Sequence, residues 1–556
     1  MISEGYYGLE RPSVHAIVPL TAKRILDIGC AEGKLGEAIK HRQPAFVCGV
    51  EPVGEAAAIA RDRLDHVINQ SIEAALETLE DGSFDCVIMA DVLEHLQDPW
   101  SVLRKVSRKL EVGGRLVASV PNAQNWAVIR DLIEGHWRYD SEGLLDQTHL
   151  RFFTRESVER LCWNAGLRID SMTTTEHGST APRRLLAALD AGGLDSSTLR
   201  QHGTTWQHLV VAVRPAPRST LPKISIIVLN WNGKADTLAC LESLASVRYG
   251  NFETILVDNG SSDDSVRAIR TAHPQLTVLE TGANLGFAEG NNVGIRHALA
   301  NGADHVLLLN NDTVVDPGML DGFLDALHVC PGAGILGARI YYHSEPQKIW
   351  YAGGYWDHDQ MCFQQVGDGL MDHAVYGEVS RTDFVVGCAM FIPRGILEKV
   401  GLLESSYFLN YEEIDFCTRV RNAGYDLIYA PEARLWHKIA ASFGGDESPL
   451  KIYFTFRNRL LWARRNLPWR RRVAIHLSVY RWFRPRFLLG LEHLRDEAPL
   501  AARLKSVFWS LRSAADSPTN QAWLRGIMDF WLGRFGKCPD AIWKLNRRWA
   551  QTRRKS

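Results

Sequence analysis

The sequence predicts an α/β protein of two doubly wound domains, followed by a basic helical tail. Three observations predict this fold. Residues 223–312 alternate apolar strands with helices, a strand near Arg24 runs into a glycine turn and a helix, and the charge changes sign after residue 450. Strands that alternate with helices form mostly parallel sheets, which bind ligands beyond the carboxyl ends of their strands.

The predicted domain limits follow breaks in composition. An apolar strand closes residues 1–213, and the proline-rich stretch 214–222 follows as a semi-rigid linker. Residues 223–450 form the second domain and 451–556 the tail. A chain of 556 residues, 46% of them hydrophobic, is long enough for more than one core. The ten cysteines form no C-x-x-C pair and no signal peptide precedes the first domain, so we expect a cytoplasmic protein.

Polar side chains follow the strands of the second domain, at the edge where a parallel sheet binds ligands. They are Asn230, Asp258, Asn284, Asn310, Asn311 and Asp312. Such oxygen ligands suit a hard divalent cation that shares its coordination with phosphates. Glu412 and Glu413 lie among apolar residues further along, and a carboxylate held there takes a proton from a nucleophile. Metal, phosphate and base together indicate group transfer from a nucleotide donor.

Six phrases in this order resemble the inverting family 2 glycosyltransferases of the GT-A fold, and among them the rhamnosyltransferase-like enzymes of bacterial surface-polysaccharide biosynthesis. The phrases are Ile227-Val-Leu-Asn-Trp-Asn, Ile255-Leu-Val-Asp-Asn-Gly-Ser, Asn284-Leu-Gly-Phe-Ala, Leu308-Leu-Asn-Asn-Asp, Gly387-Cys-Ala-Met-Phe-Ile-Pro-Arg and Tyr411-Glu-Glu-Ile-Asp-Phe-Cys-Thr-Arg. The resemblance spans residues 223–460.

This resemblance implies a role for each polar residue. Asp258 contacts the nucleotide, together with Asn230, Asn284 and Asn311. Asp312 binds Mg²⁺ or Mn²⁺, with Asn310 where the family has a carboxylate, and His437 touches the metal or the diphosphate. Glu413 occupies the position of the general base, with Glu412 as the alternative. In a purely structural interpretation, these acids favour the first turn of a helix because of its macrodipole.

Residues 24–51 have the geometry of a nucleotide-binding unit. A strand carries Asp27, the turn contains Gly29 and Gly33, and a second strand ends in Glu51. Glycines let the backbone approach a ligand closely, and the carboxylate accepts hydrogen bonds from ribose hydroxyls. Together with residues 84–96 and 110–122, this order resembles class I methyltransferases that use S-adenosyl-L-methionine, including the ubiquinone-pathway group.

By this resemblance, which covers residues 20–170, the carboxylates and glycines named above line the methionine and ribose sites, and Asp91 lies near the sulfonium. His149 is a candidate base for an acceptor hydroxyl; the alternative is a histidine satisfied within the fold. Asp91, Glu94 and His95 resemble a metal constellation of the ubiquinone-pathway enzymes. Their spacing also arises on any helix face.

The tail differs from the rest of the chain in charge and in tryptophan content. It has 24 Lys and Arg against 6 Asp and Glu, a formal charge of +18, whereas residues 1–450 carry about −19. Eight of the 17 tryptophans lie there, interleaved with arginines at 462–472 and 480–489. This pattern suits helices on an anionic membrane surface; the alternative is helices that pack on the catalytic domain. No apolar run spans a bilayer, and no reading motif indicates a nucleic-acid partner.

The sequence therefore predicts a bifunctional transferase on the inner face of the cell membrane. It would transfer a sugar, with inversion and with a metal, from a nucleotide-sugar donor to a glycan or polyprenyl-linked acceptor, and it would methylate a sugar hydroxyl. The alternative function is glycosyl transfer alone, with a first domain that binds the methyl donor or scaffolds without catalysis.

Overall fold

The computed structural model describes residues 11–178, 180–192, 194–439, 448–481 and 517–553. The chain divides into two compact units, one of Met1–Ser219 with His328–Pro331 and one of Thr220–Leu327 with Gly332–Ser556. The break at Ser219 lies inside the predicted linker, and the exact domain limits stay a prediction. The predicted α/β class, with helices at the C-terminal end, is confirmed.

The first unit alternates strands and helices along its length. Its elements are α1 (Pro12–Ile17), β1 (Arg24–Ile28), α2 (Lys34–Arg42), β2 (Phe46–Val50), α3 (Gly54–Ala60), β3 (His66–Ile68), α4 (Ile72–Thr78), β4 (Phe84–Ala90), α5 (Pro99–Lys109), β5 (Leu110–Pro121), α6 (Trp126–Ile133), α7 (Arg155–Asn164), β6 (Arg168–Glu176), α8 (Arg183–Ala191), α9 (Ser197–His202) and β7 (Thr205–Val213).

Among the described residues, these strands form one seven-stranded sheet in the order β3-β2-β1-β4-β5-β7-β6. Neighbours are parallel from β3 to β5, whereas β7 runs antiparallel to both β5 and β6. The central strand β1 is buried from Ile25 to Ile28, as expected of a strand covered by helices on both faces. The carboxyl ends of β1, β2 and β4 therefore open on the same edge of the sheet.

The second unit begins with the same alternation and continues with longer, mixed pairing. Its elements are β8 (Ile224–Asn230), α10 (Lys234–Leu244), β9 (Phe252–Asp258), α11 (Ser265–Ala272), β10 (Thr277–Glu280), α12 (Gly286–Ala300), β11 (His305–Asn310), β12 (Thr313–Val315), α13 (Met319–Val329), β13 (Ala333–Tyr342), β14 (Ile349–Tyr351), β15 (Gly354–Asp357), β16 (Cys362–Gln365), β17 (Ser380–Arg381), β18 (Ala389–Pro393), α14 (Arg394–Val400), α15 (Glu412–Asn422) and β19 (Asp426–His437).

The main sheet of this unit runs β10-β9-β8-β11-β18-β13-β19-β12, with β14 on β13 and β17 on β19. The strands from β10 to β11 are parallel, as their alternation with helices predicts. Beyond β11 the sheet is mixed, since β18 runs antiparallel to both β11 and β13. Strands β15 and β16 form a separate antiparallel pair.

Four helices lie in the described part of the predicted tail: α16 (Pro449–Asn466), α17 (Trp469–Arg481), α18 (Pro518–Trp531) and α19 (Asp540–Arg553). Helix α16 belongs to the second unit and packs on its earlier elements: the rings of Phe454 and Phe408 stack with their centres 5.6 Å apart, and those of Trp462 and Trp356 are also 5.6 Å apart. Helix α18 covers α16 through Trp523, 6.4 Å from Phe456. Most of the arginine- and tryptophan-rich stretch 480–489 lies outside the described residues.

Candidate functional sites

A cavity of about 900 Å³ opens at the edge of the first sheet where β1, β2 and β4 end. Four of the predicted cofactor residues line it, namely Asp27, Gly29, Glu51 and Asp91. Gly29 has a φ of +69°, and a Cβ there would lie 2.8 Å from Val92, so a side chain would crowd this wall. The remaining predicted residue, Gly33, does not line the cavity but caps the start of α2 with a φ of 80°.

Two carboxylates shape this cavity. Asp27 is buried, and its Oδ2 has no hydrogen-bond partner among the described residues. Burial raises its pKa to about 7, although the charge of Arg11 opposes the shift. Glu51 accepts hydrogen bonds from the amides of Ala31 and Val53, both at 2.9 Å. Burial raises the pKa of Glu51, and these two hydrogen bonds lower it. Glu51 thus fixes the glycine turn, while Asp27 offers an unpaired oxygen.

Asp91 is engaged by protein groups on several sides. Its backbone has a φ of +54°, and its Oδ1 accepts hydrogen bonds from Ser119 Oγ at 2.6 Å and Gln207 Nε2 at 2.7 Å. Arg11 forms an ion pair with its other oxygen and also lines the cavity. The sequence did not predict this role of Arg11, because nothing around a single arginine before a short helix indicates its distant partner.

Glu94, His95 and His149 form a cluster beside this cavity. One ligand atom from each lies within 4.8 Å of the others, and the two imidazole rings are 4.9 Å apart. Burial raises the pKa of Glu94 to about 8 and lowers the pKa of both histidines. His149 therefore joins Glu94 and His95, whereas the predicted third member, Asp91, has other partners. Neutral imidazoles of this kind can hold a cation or accept a proton.

A second cavity, of about 170 Å³, lies at the carboxyl edge of the second sheet. Four predicted residues line it: Asn284, Asn310, Asn311 and Asp312. Aromatic side chains complete its walls, namely Trp231, Phe287, Phe408 and, from helix α19, Trp543. The rings of Trp231 and Trp543 lie 5.9 Å apart. Sequence reasoning missed Trp543, because a tryptophan in a basic helix gives no indication of which distant surface it covers.

Asn230 and Asp258 lie beneath this cavity rather than in its wall. Asn230 is fully buried, and its amide nitrogen donates to Asp258 Oδ1 at 2.8 Å and to Ser265 Oγ at 3.0 Å. Asp258 also accepts the hydroxyl of Ser261 at 2.6 Å and the amide of Ser261 at 3.0 Å. These bonds tie the ends of β8 and β9 together and set the loop that follows β9.

Asp312 and His437 meet at the end of the antiparallel pair β12 and β19, where Thr313 is opposite His437. His437 Nε2 lies 3.1 Å from Asp312 Oδ1, and the Trp350 ring lies 4.6 Å from the imidazole. Burial lowers the pKa of His437, but the neighbouring Cys388 and Asp312 raise it by a larger amount. The resulting pKa is about 10. The two side chains therefore form an ion pair. A divalent cation that displaced the imidazole proton would have a carboxylate and an imidazole side by side as ligands.

Glu412 and Glu413 are the first two residues of α15. Glu412 is only 4% exposed, Glu413 is half-buried, and an oxygen of each has no hydrogen-bond partner among the described residues. Burial raises both pKa values, and the neighbouring charge of Glu413 raises that of Glu412 further. Glu413 lies near the cavity, because both it and Phe287 come within 4 Å of a Cβ built on Gly387.

Family models match both units of the chain. Residues 11–172 match the methyltransferase domain and residues 225–401 match glycosyl transferase family 2. The chain therefore joins a methyltransferase domain to a family 2 glycosyltransferase domain. The resemblance predicted from the sequence is confirmed in both parts, and the chain is an enzyme with two transferase domains.

Relatives of two kinds match parts of the chain. The second domain is 28% identical over 233 residues to an N-acetylglucosaminyl-diphospho-decaprenol L-rhamnosyltransferase of Mycobacterium tuberculosis, covering 37% of this chain and 73% of the relative. The first is 31% identical over 162 residues to a ubiquinone biosynthesis O-methyltransferase of Aeromonas salmonicida, covering 28% of this chain and 66% of the relative.

Two further matches are weaker, one because the chain covers less of the relative's length and the other because the sequence identity is lower. A protein of Sinorhizobium fredii is 28% identical over 356 residues, or 58% of this chain, and the chain spans 37% of its length. A mannosyltransferase structure from Pyrobaculum calidifontis is 16% identical with a TM-score of 0.38, covering 57% of this chain and 89% of that one.

Proposed function

We propose that the protein is a bifunctional transferase of bacterial surface-glycan assembly. The second unit transfers a sugar from a nucleotide donor to a glycan or lipid-linked acceptor, and the first methylates a sugar hydroxyl with S-adenosyl-L-methionine. The observation that carries the proposal is the cavity lined by Asn311 and Asp312, in which Asp312 is paired with His437. Glu413 and the Phe287 ring of the cavity wall both lie beside Gly387.

Sugar transfer follows from this arrangement. A bound Mg²⁺ or Mn²⁺, held by Asp312 and His437, would neutralise charge on the leaving diphosphate. Glu413 removes the proton from the acceptor hydroxyl, and that oxygen attacks the anomeric carbon from the face opposite the diphosphate. The carbon–oxygen bond to phosphate breaks, the nucleoside diphosphate leaves with the electron pair, and the anomeric configuration inverts. Glu413 is the preferred base because Glu412 is more deeply buried.

Methyl transfer is proposed for the larger cavity. The unpaired Oδ2 of buried Asp27 suits the cationic amino group of S-adenosyl-L-methionine. When bound, this cofactor supplies an electrophilic methyl group. Glu51 faces the same cavity and suits the ribose hydroxyls. Glu94, His95 and His149, which cluster beside this cavity, would take the proton of an acceptor hydroxyl, either on His149 or with the help of a cation. That proton loss lets the acceptor oxygen displace the sulfide from the methyl carbon.

We also propose that the enzyme works at the cytoplasmic face of an anionic membrane, where a polyprenyl-linked acceptor would lie. Within the described part of the chain, no helix is long and apolar enough to cross a bilayer. Helix α17 instead exposes Trp469, Val473, Leu477 and Tyr480 at helical spacing, beside the exposed Arg470. An apolar stripe flanked by basic residues is typical of helices that lie in the headgroup layer.

The competing function is sugar transfer alone, with a first unit that binds the methyl donor without turnover. Incubating the protein with radiolabelled S-adenosyl-L-methionine and short N-acetylglucosaminyl-diphospholipid acceptors, with and without a panel of nucleotide sugars and Mn²⁺, distinguishes the two. Our proposal requires sugar transfer that depends on Mn²⁺ and label in the glycan product. Sugar transfer with an unlabelled product would favour the competing function, and no transfer from any donor would refute both.

A further inference from the structure

The segment before the carboxylate pair has an unusual backbone. Phe408, Asn410 and Tyr411 have φ values of 65°, 63° and 74°, a region that L side chains rarely adopt. Tyr411 is the cap of α15, so Glu412 and Glu413 follow it directly. Any relaxation of this strained segment would therefore move both carboxylates.

Two adjacent side chains of α16, Arg457 and Asn458, hold this segment from one side. Both are fully buried. Asn458 Nδ2 lies 2.9, 2.8 and 2.7 Å from the carbonyl oxygens of Tyr407, Leu409 and Asn410, so its two N–H bonds are shared among three acceptors. Arg457 Nη2 donates to the Tyr407 carbonyl at 3.0 Å. One turn of a C-terminal helix thus binds the backbone on either side of Phe408.

Arg457 is itself held rigidly. Its Nε donates to Asn458 Oδ1 at 3.0 Å, and its Nη1 donates to the carbonyl of Gly536 at 2.8 Å. Its guanidinium lies 4.9 Å from the ring of Phe454, which stacks on Phe408. A fully buried cation is costly unless its donors are satisfied. The N–H groups of Arg457 donate to the strained segment and to the turn before α19. Arg457 therefore fixes the position of the backbone rather than only filling space.

The opposite side of the segment rests on the start of α12. The amide of Phe287 donates to the carbonyl of Phe408 at 2.6 Å, and a Cβ on Gly286 would lie 2.4 Å from that oxygen. Only a glycine allows this approach. Phe287 and Phe408 both line the smaller cavity. The segment is therefore clamped between the cavity wall and helix α16.

We propose that Arg457 and Asn458 are positioning residues of the sugar-transfer site, which fix the segment 408–411 and, through it, the carboxylate of Glu413. This inference rests on the proposed function of Glu413 as the base. Neither side chain touches the reacting atoms, so their effect passes through the backbone. Phe408 and Leu409 of this segment also line the donor cavity, but its polar residues Asn311 and Asp312 follow strand β11, so we expect the clamp to affect turnover much more than donor affinity.

The test compares Asn458→Ala and Arg457→Lys with Arg464→Lys. Arg464 is a matched control, because it lies on the same helix and also stacks on aromatic rings, Phe530 and Phe535, but is exposed. We expect kcat for sugar transfer to fall about 10²-fold in the first two variants, as a small misplacement of a catalytic group does, with the donor KM within about twofold of wild type. Arg464→Lys should match wild type.

Two measurements do not depend on turnover. Hydrogen–deuterium exchange of residues 404–415 should accelerate in Asn458→Ala and Arg457→Lys, while the affinity for UDP or GDP with Mn²⁺, measured by calorimetry, should stay within about twofold of wild type. A common loss of kcat, nucleotide affinity and melting temperature would overturn the positioning role in favour of general stability. Unchanged exchange would also overturn it.

Glu413→Gln separates this inference from the function on which it rests. If Glu413→Gln loses turnover while Asn458→Ala and Arg457→Lys retain it, the positioning role is wrong and the base assignment stands. If Glu413→Gln retains turnover, the base assignment is wrong and the positioning role is wrong with it.

Discussion

His437 Nε2 lies 3.1 Å from Asp312 Oδ1, although 125 residues separate the two in the sequence. The pairing of β12 with β19 brings them together, because Thr313 is directly opposite His437. This register places an imidazole beside the carboxylate that the family resemblance assigns to the metal. The relationship supports a cation site made of two protein ligands, with the donor diphosphate and water as the others.

The first prediction concerns this pair. Replacing Asp312 with alanine should lower metal-dependent sugar transfer by about 10²-fold or more, since loss of a ligand should cost at least as much as loss of a residue that supports one. Steady-state transfer assays at several Mn²⁺ concentrations measure the effect. Binding of S-adenosyl-L-methionine should not change, because the two cavities belong to separate units. Glu398→Gln, which removes an exposed carboxylate, is the control, and near-normal transfer by Asp312→Ala would refute the metal role.

The second prediction concerns the base. Glu413→Gln should lose roughly 10²–10⁴ in turnover with little change in donor affinity, and Glu412→Gln should lose less. Burial raises the pKa of Glu413 above its ordinary value of 4.5, and a base acts only when ionised. The acid limb of the pH–rate profile should therefore lie at higher pH than that of an exposed glutamate. A larger loss in Glu412→Gln would transfer the role to Glu412.

The third prediction concerns proton release in the first unit. The pKa of Asp27 is raised to about 7 by burial, so part of the population is protonated near neutral pH. A cationic ligand favours the ionised form, and binding of S-adenosyl-L-methionine should therefore release protons and strengthen as the pH rises from about 6 toward 7. Calorimetry in two buffers of different ionisation enthalpy measures this release. The release should disappear in Asp27→Asn; equal release by wild type and variant would assign the proton elsewhere.

The fourth prediction concerns the membrane. Anionic vesicles should bind the full-length protein at low salt and release it as salt rises, because each basic side chain near the surface contributes about 1 kcal/mol of screened attraction. Trp469→Ala and Leu477→Ala should each weaken binding about three- to tenfold, since apolar burial contributes a part that salt does not screen. Leu20→Ala, at an exposed leucine of the other unit, is the control. If the protein does not co-sediment with anionic vesicles even at low salt, the membrane role is refuted.

The sequence predicted the parallel halves of both sheets well, because buried strands and amphipathic helices have distinct periodicities. Helix α12, for example, runs from Gly286 to Ala300, inside the stretch 223–312 for which the sequence predicts alternating strands and helices. The polar residues at strand ends were predictable for the same reason. The mixed part of the second sheet was not, since the pairing of β13 with β19 joins distant segments and leaves no local signal.

Long-range contacts explain the remaining omissions. Asp91, Glu94 and His95 resemble a metal constellation of related enzymes, but the partners of Asp91 are Ser119 and Gln207, which come from β5 and β7. Trp543 and Asn458 escaped notice because nothing in a helix specifies the surface that it will cover. Arg457 and Asn458 interrupt the apolar run of α16, and this was the available sequence signal. Buried polar groups normally have specific hydrogen-bond partners, so the pair indicated contacts elsewhere in the fold.

One measurement tests the central claim, that a single chain builds a methylated glycan with two sites. Purified protein is incubated with the diphospholipid acceptor, the nucleotide-sugar panel, Mn²⁺ and S-adenosyl-L-methionine, and the product is analysed by mass spectrometry. The account predicts a product that gains one sugar and one methyl group. The product of Glu413→Gln should lack the sugar, and the product of Asp27→Ala should lack the methyl group. A product that gains sugar but no methyl group, with the methyl donor bound and intact, would contradict the account.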